Sequence, residues 1–183
     1  MEKKHPISEL KSSLGQAILE IRQFGRSSVS SVWIEMAELL EVCRFLNFES
    51  TPTFDQLEDF AVMELDQSLV LTYFLTSSSD PSSRLMLRGS LDVNQNPNSL
   101  TVPSLAGIWK VATFFEREAA DLFGVRFQTQ SQGQEEGRDS FRELMPRGWE
   151  GFPMRKNYVF PKSFFGIAHS RPLDVTPSRK GGS

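Results

Sequence analysis

The residues best able to do chemistry crowd into one short run, Glu116-Arg117-Glu118-Ala119-Ala120-Asp121, which holds three carboxylates and a guanidinium. Carboxylates held close together could divide acid and base roles in a hydrolysis. On a helix, however, Glu116 and Glu118 are two residues apart and do not face each other, while Glu118 and Asp121 share a spacing that is ordinary on helix surfaces. No Ser-His-Asp or Cys-His arrangement accompanies them, so an independent hydrolase built on these carboxylates is a remote reading. His5 and His169 are too far apart in sequence to suggest a metal motif, and no glycine-rich nucleotide loop is present. Cys43 is the single cysteine. It cannot supply the ligand set of an iron-sulfur cluster or form an internal disulfide, and its helical spacing with Leu39, Leu40, Val42 and Leu46 places it in a core.

The carboxylates need a helix to position them, and a wheel drawn over Pro103 to Phe123 supplies one. Leu105, Ile108, Ala112, Phe115, Ala119, Leu122 and Phe123 form an apolar face with Trp109 at its edge. Lys110, Arg117 and Asp121 fall on the opposite side with Phe114, where Arg117 and Asp121 are spaced to form a solvated ion pair. Glu116 differs, because it falls between Trp109 and Phe123 inside the apolar sector. A carboxylate buried there needs a partner. Arg142, Arg147, Arg155 and Lys156 are the candidates, and Arg155 is favoured because Gly151 and Pro153 would let the chain turn back across the helix.

The remaining elements follow from periodicity and breakers. Ile7, Leu10, Leu14, Ala17 or Ile18, and Ile21 recur at helical spacing between Pro6 and Gly25. Val29 to Met36 alternates as a strand, and a short helix is expected from Ala37 to Phe45. After Thr51-Pro52, strands are expected at Phe60–Asp66, Ser68–Thr76 and Arg84–Val93. The run from Leu69 to Leu75 is apolar on both faces, as in a central strand covered on two sides. A polar loop at Asn94 to Asn98 precedes the long helix. The fold class is thus α+β: a mixed or antiparallel sheet covered by helices, with an extended C-terminal arm.

Composition agrees with a folded chain: of 183 residues, 39% are hydrophobic and 23% charged, which is neither the profile of a disordered polymer nor that of a nucleic-acid binder at a net charge of -3. No stretch approaches the roughly 20 apolar residues that span a bilayer, and Met1 to Leu10 lacks a signal-peptide core, so a soluble chain kept in the cytoplasm is expected. Charge is unevenly spread. From Arg155 to Ser183 six basic residues face one acid, giving +5 and leaving -8 on the preceding body. Residues 1–127 read as an α+β sandwich domain, 128–140 as a mobile polar loop rich in Gln, Gly and Glu, and 141–183 as an extended partner-binding arm. Repeated prolines keep that arm extended, and Trp149, Phe152, Tyr158, Phe160, Phe164 and Phe165 point to a surface laid along another protein.

Two motifs carry a family resemblance. Glu116-Arg117-Glu118, Asp121, Phe123-Gly124 and Phe127 resemble the signature E-R-E-x-x-D-x-F-G-x-x-F of the thirty-kilodalton, or C, subunit family of complex I, the respiratory-chain NADH:quinone oxidoreductase. Downstream, Leu144, Pro146, Trp149, Gly151, Pro153, Arg155, Lys156 and Tyr158 are similar to the family's L-x-P-x-x-W-x-G-x-P-L-R-K-D-Y. Phe152 and Asn157 depart from its usual His and Asp. The resemblance covers residues 1 to about 160 and implies a structural subunit of the peripheral arm with no catalytic residues of its own. It also implies that this chain binds no cofactor, the NADH, FMN, iron-sulfur clusters and quinone of the electron-transport reaction belonging to partner subunits. The implied partners are the quinone-site subunit (D, or forty-nine-kilodalton, type) and the cluster-bearing B and I types. The implied location is peripheral, on the cytoplasmic side of the inner membrane. An equivalent subunit of a membrane-bound nickel-iron hydrogenase, or of a ferredoxin-fed relative, is the alternative.

Overall fold

A computed structural model describes residues 6–23, 29–94, 100–128 and 142–168. The elements in chain order are α1 (Pro6–Leu14), β1 (Ile18–Gln23), β2 (Val29–Ile34), α2 (Leu39–Phe48), β3 (Gln56–Leu65), β4 (Ser68–Thr76), β5 (Arg84–Asp92), β6 (Thr101–Pro103), α3 (Ala112–Phe123) and β7 (Arg126–Gln128). A small hairpin of β8 (Ser163–Phe164) and β9 (Ile167–Ala168) follows.

The main sheet has the order β1-β2-β5-β4-β3. The β3-β4-β5 meander returns to pair β5 in parallel with β2, while all other neighbours in this sheet are antiparallel. The fold is therefore the expected α+β arrangement on a mixed sheet. Its core forms on one sheet face, where Leu69, Leu71, Tyr73 and Leu75 of β4 and Leu85 and Leu87 of β5 meet Leu39, Val42, Cys43 and Leu46 of α2. Gly89 belongs to this face, and a Cβ there would come within 2.1 Å of Met36 Sδ, so only glycine lets Met36 cross the strand.

Several expectations need correction. The apolar spacing from Ile7 to Ile21 is not one helix, because α1 ends at Leu14 and the chain becomes β1 at Ile18. A bulge between Ile18 and Glu20 lets Ile18 and Ile21 face Ile34 and Val32 on the same side, so a strand acquires the three-residue spacing of a helix. The long helix predicted from Pro103 begins at Ala112. Thr101–Pro103 instead pairs with β7, and turns connect it to α3 while Leu105 and Trp109 keep their buried positions. Finally, β4 is buried along nearly all its length, but helices cover only its core face among the described residues.

Residues 142–158, expected to be extended, turn back onto α3. The loop expected at 128–140 falls almost wholly outside the described residues, as do Gly25, most of the polar loop at Asn94 to Asn98, and the chain beyond Ala168.

Candidate functional site

The site is the meeting of α3 with the returning segment. α3 ends at Gly124, whose φ of 79° is the left-handed conformation that glycine adopts without strain. Its amide donates to Ala120 O, and the Phe152 ring packs where a Cβ would stand, 2.6 Å from its nearest ring atom. Phe152, which departs from the family pattern, thus fills the space at the helix end.

Asp121 is the latch. It is buried, not solvated, and makes no pair with Arg117. Its Oδ2 accepts the amides of Leu144 at 2.7 Å and Met145 at 2.8 Å, while Oδ1 lies 3.4 Å from Arg142 Nη1. That last contact is an ion pair without hydrogen-bond geometry, since neither atom has a hydrogen-bond partner. Arg142 also donates to Gly151 O at 3.1 Å and lies over the Phe152 ring at 5.6 Å. Of the expected outer face of α3, Asp121 is interior because the chain returns to cover it, while Lys110, Phe114 and Arg117 are exposed as expected. Arg117 instead reaches Glu143 at 2.9 Å, and both side chains are about half exposed.

Glu116 is buried, as its place in the apolar sector requires, but Arg155 is not its partner. Ser104 Oγ donates to Oε2 and the Leu105 amide to Oε1, both at 2.7 Å. The carboxylate thus secures the turns leading into α3, and burial raises its pKa above the ordinary carboxylate value while these two donors pull against that rise. A guanidinium is unnecessary, because neutral donors close enough to both oxygens satisfy the group. Arg155 pairs with Glu64 of β3 at 3.3 Å and donates to Phe123 O, also at 3.3 Å. Glu64 additionally accepts the Lys156 amide at 2.7 Å, and Leu122 O accepts the Met154 amide at 3.1 Å.

The other expected residues complete this second attachment. Pro146 O accepts the Trp149 amide, and Trp149 is buried against the rings of Phe160 and Phe164 at 5.4 and 4.9 Å. Gly151 has φ 78°, and a Cβ there would meet the Tyr158 ring at 2.9 Å. Pro153 and Tyr158 are half-buried, while Glu118 and the Lys156 side chain are exposed. Sequence reasoning passed over Glu64, although it carries the signal that marked Glu116. The strand alternation puts this acid opposite Leu69 on the core face.

Chemically, these carboxylates are occupied in holding backbone. Their oxygens accept amides and a hydroxyl and lie in ion-pair contact with guanidinium groups, an arrangement that clamps backbone. Among the described residues no three His, Cys, Asp or Glu side chains gather as a metal site, and no helix is long and apolar enough to cross a membrane.

The C/D subunit of NADH-quinone oxidoreductase from Rhodopseudomonas palustris (strain BisB5) is 32% identical over 178 residues, 91% of this chain. The chain spans only 27% of that relative's length. The C-type subunit of the same oxidoreductase from Roseiflexus sp. (strain RS-1) is 32% identical over 155 residues, covering 82% of this chain and 80% of its own. Among solved structures, the trypsin-resistant fragment (1-134) of Nqo5 shares the fold with a TM-score of 0.50 at 18% identity, over 68% of this chain and 96% of that one. A chain of the membrane-bound sulfane sulfur reductase, an archaeal respiratory membrane complex, aligns with a TM-score of 0.53 at 13% identity, over 72% of this chain and 77% of its own. The model of one family matches residues 32–163, a span that contains both the α3 motif and the segment latched onto it, and the chain belongs to that family, described as respiratory-chain NADH dehydrogenase, 30 Kd subunit.

Proposed function

We propose that this chain is a non-catalytic structural subunit in the peripheral arm of a proton-translocating NADH:quinone oxidoreductase. Its returning segment docks on the quinone-site subunit, and electrons pass from NADH to quinone through groups held by the partners. The observation that carries this reading is the latched segment itself. Asp121, Glu64 and Gly124 fix its inner side, while Leu144, Met154, Val159, Phe160, Phe165 and Ile167 are 54–85% exposed. A rigidly held apolar surface of this kind suits a permanent protein partner. Relatives that join C and D regions on one chain make a D-type neighbour the first partner to seek. The location proposed is peripheral to the membrane, on its cytoplasmic side, through that assembly.

A second reading, an equivalent subunit in a hydrogenase-like or ferredoxin-fed complex, draws on the fold shared with the sulfane sulfur reductase chain. Purification from the native membrane through a tag on this chain separates the readings. Recovery of quinone-site and cluster-bearing partners with NADH:quinone activity is expected. Nickel without NADH activity favours the second reading, and a lone monomer refutes both.

A further inference from the structure

The sheet has a second face that no helix covers among the described residues. Alternation sends Ser31 and Trp33 of β2, Val70, Thr72 and Phe74 of β4, Met86 and Arg88 of β5 and Met63 of β3 away from the core. The register brings them together: Trp33 stands beside Arg88, Arg88 beside Thr72, Met86 between Ser31 and Phe74, and Met63 beside Val70. Trp33, Phe74, Met86, Val70 and Met63 belong neither to the core cluster nor to the side chains packed on it. A sheet face turned to water is ordinarily polar. This one is apolar at its centre, inside a polar rim that includes Glu20, Arg22, Asp59, Arg84 and Ser90, and on its β3 edge Met63 and Leu65 are 55% and 46% exposed.

Arg88 lies in the middle of that face. Its guanidinium carbon is 5.8 Å from the Trp33 ring centre and its Nη2 is 3.9 Å from Met86 Sδ. Its Nε is buried without an acceptor among the described residues, and the adjacent Ser31 Oγ also lacks a partner. The nearby acids are engaged: Glu20 pairs with Arg22, Asp59 accepts the Phe60 amide and Asp92 the Asn94 amide. Arg88 has no carboxylate partner among the described residues, an arrangement that favours an anion supplied from outside.

We propose that this face docks a neighbouring subunit of the same assembly, one that brings a carboxylate to Arg88 within an apolar surround. The proposal rests on the subunit reading given above. Charge selects this occupant over two others. Residues 169–183 carry Arg171, Arg179 and Lys180 against Asp174 alone and would bring cations to a cation, and a second copy packed about a two-fold axis through this face would set Arg88 against Arg88.

The test compares the tagged assembly with the same full-length chain expressed alone, using dilute hydrogen peroxide as the probe and reading Met63 and Met86 by mass spectrometry. In the assembly both methionines should oxidise at least about tenfold more slowly, and Arg88→Glu should lower partner recovery at least about tenfold while Arg88→Lys keeps most of it. If Arg88→Glu fails to fold, methionine protection in the unaltered chain decides. Equal oxidation in both samples overturns the proposal. So does protection of the lone chain that disappears on truncation after Ala168, which identifies its own tail as the occupant, or protection that rises with its concentration, which identifies a second copy. Recovery of no partner by the unaltered chain defeats the subunit reading and this proposal together, whereas recovered partners with unprotected methionines defeat this proposal alone.

Discussion

Removing the Asp121 carboxylate should release the returning segment without unfolding the sheet. Asp121→Ala takes away the acceptor of two backbone amides, at 2.7 and 2.8 Å, and the anion 3.4 Å from Arg142. Hydrogen bonds to a charged acceptor contribute about 1.5–3 kcal/mol each, and breaking a buried ion pair costs about 3–5 kcal/mol because its partner is stranded. The contributions overlap, and Arg142 keeps its bond to Gly151 O, so about 3 kcal/mol is the expected loss for segment docking. Asp121→Asn retains an oxygen for both amides but no charge, and should lose about half as much. Amide hydrogen exchange is the assay: in Asp121→Ala the Leu144 and Met145 amides should exchange about a hundredfold faster, while β4 amides keep their protection. Unchanged exchange at Leu144 and Met145 would refute the latch. Equal loss of protection in β4 would show that Asp121 supports the whole domain instead.

Glu116→Gln should leave stability near neutral pH unchanged or slightly higher, because the amide can donate to Ser104 Oγ and accept from the Leu105 amide, whereas Glu116→Ala should lose about 2–3 kcal/mol in denaturant unfolding. The raised pKa of Glu116 gives a stabilising contribution that is full below the unfolded-state value and is lost as pH rises through the native one, so Glu116→Gln should flatten the fall in stability that sets in above the ordinary carboxylate value. Gly124→Ala should cost about 2 kcal/mol, since a left-handed φ and the Phe152 ring both oppose a Cβ, and adding Phe152→Ala should recover the steric share in a melting experiment. Cys43 is fully buried, and burial pushes its thiol far above the ordinary range, so a thiol reagent should label the chain only after denaturation.

Much of the core was legible because alternation and apolar spacing record burial directly. β4 and β5 fall at nearly their expected bounds, and Cys43, Leu105 and Trp109 are buried as read. The failures occur where periodicity is an ambiguous witness. Ile18 and Ile21 keep a helix-like interval through a bulge, and the wheel from Pro103 onward marks buried positions correctly although turns, not helix, carry the first of them. Glu116 was recognisable as a buried acid from its sector alone, but its partners were not. A serine hydroxyl and a backbone amide leave no charge signature in sequence, whereas arginines do.

Asp121 and the back of β4 pose the same problem with opposite resolutions. A wheel or an alternation pattern assigns a side chain to a face, but whether that face meets water depends on what arrives later. At α3, one residue of a polar face became interior because residues 142–145 return to it, bringing two amides and a guanidinium for the Asp121 carboxylate, while Lys110, Phe114 and Arg117 stay exposed. At β4, Val70 and Phe74 continue an apolar pattern onto a face where the described chain supplies no covering element. Burial without a cover among the described residues is coherent if the cover belongs to another chain, and Arg88 gives that proposal a chemical sign: the layer it calls for carries a negative charge at its centre.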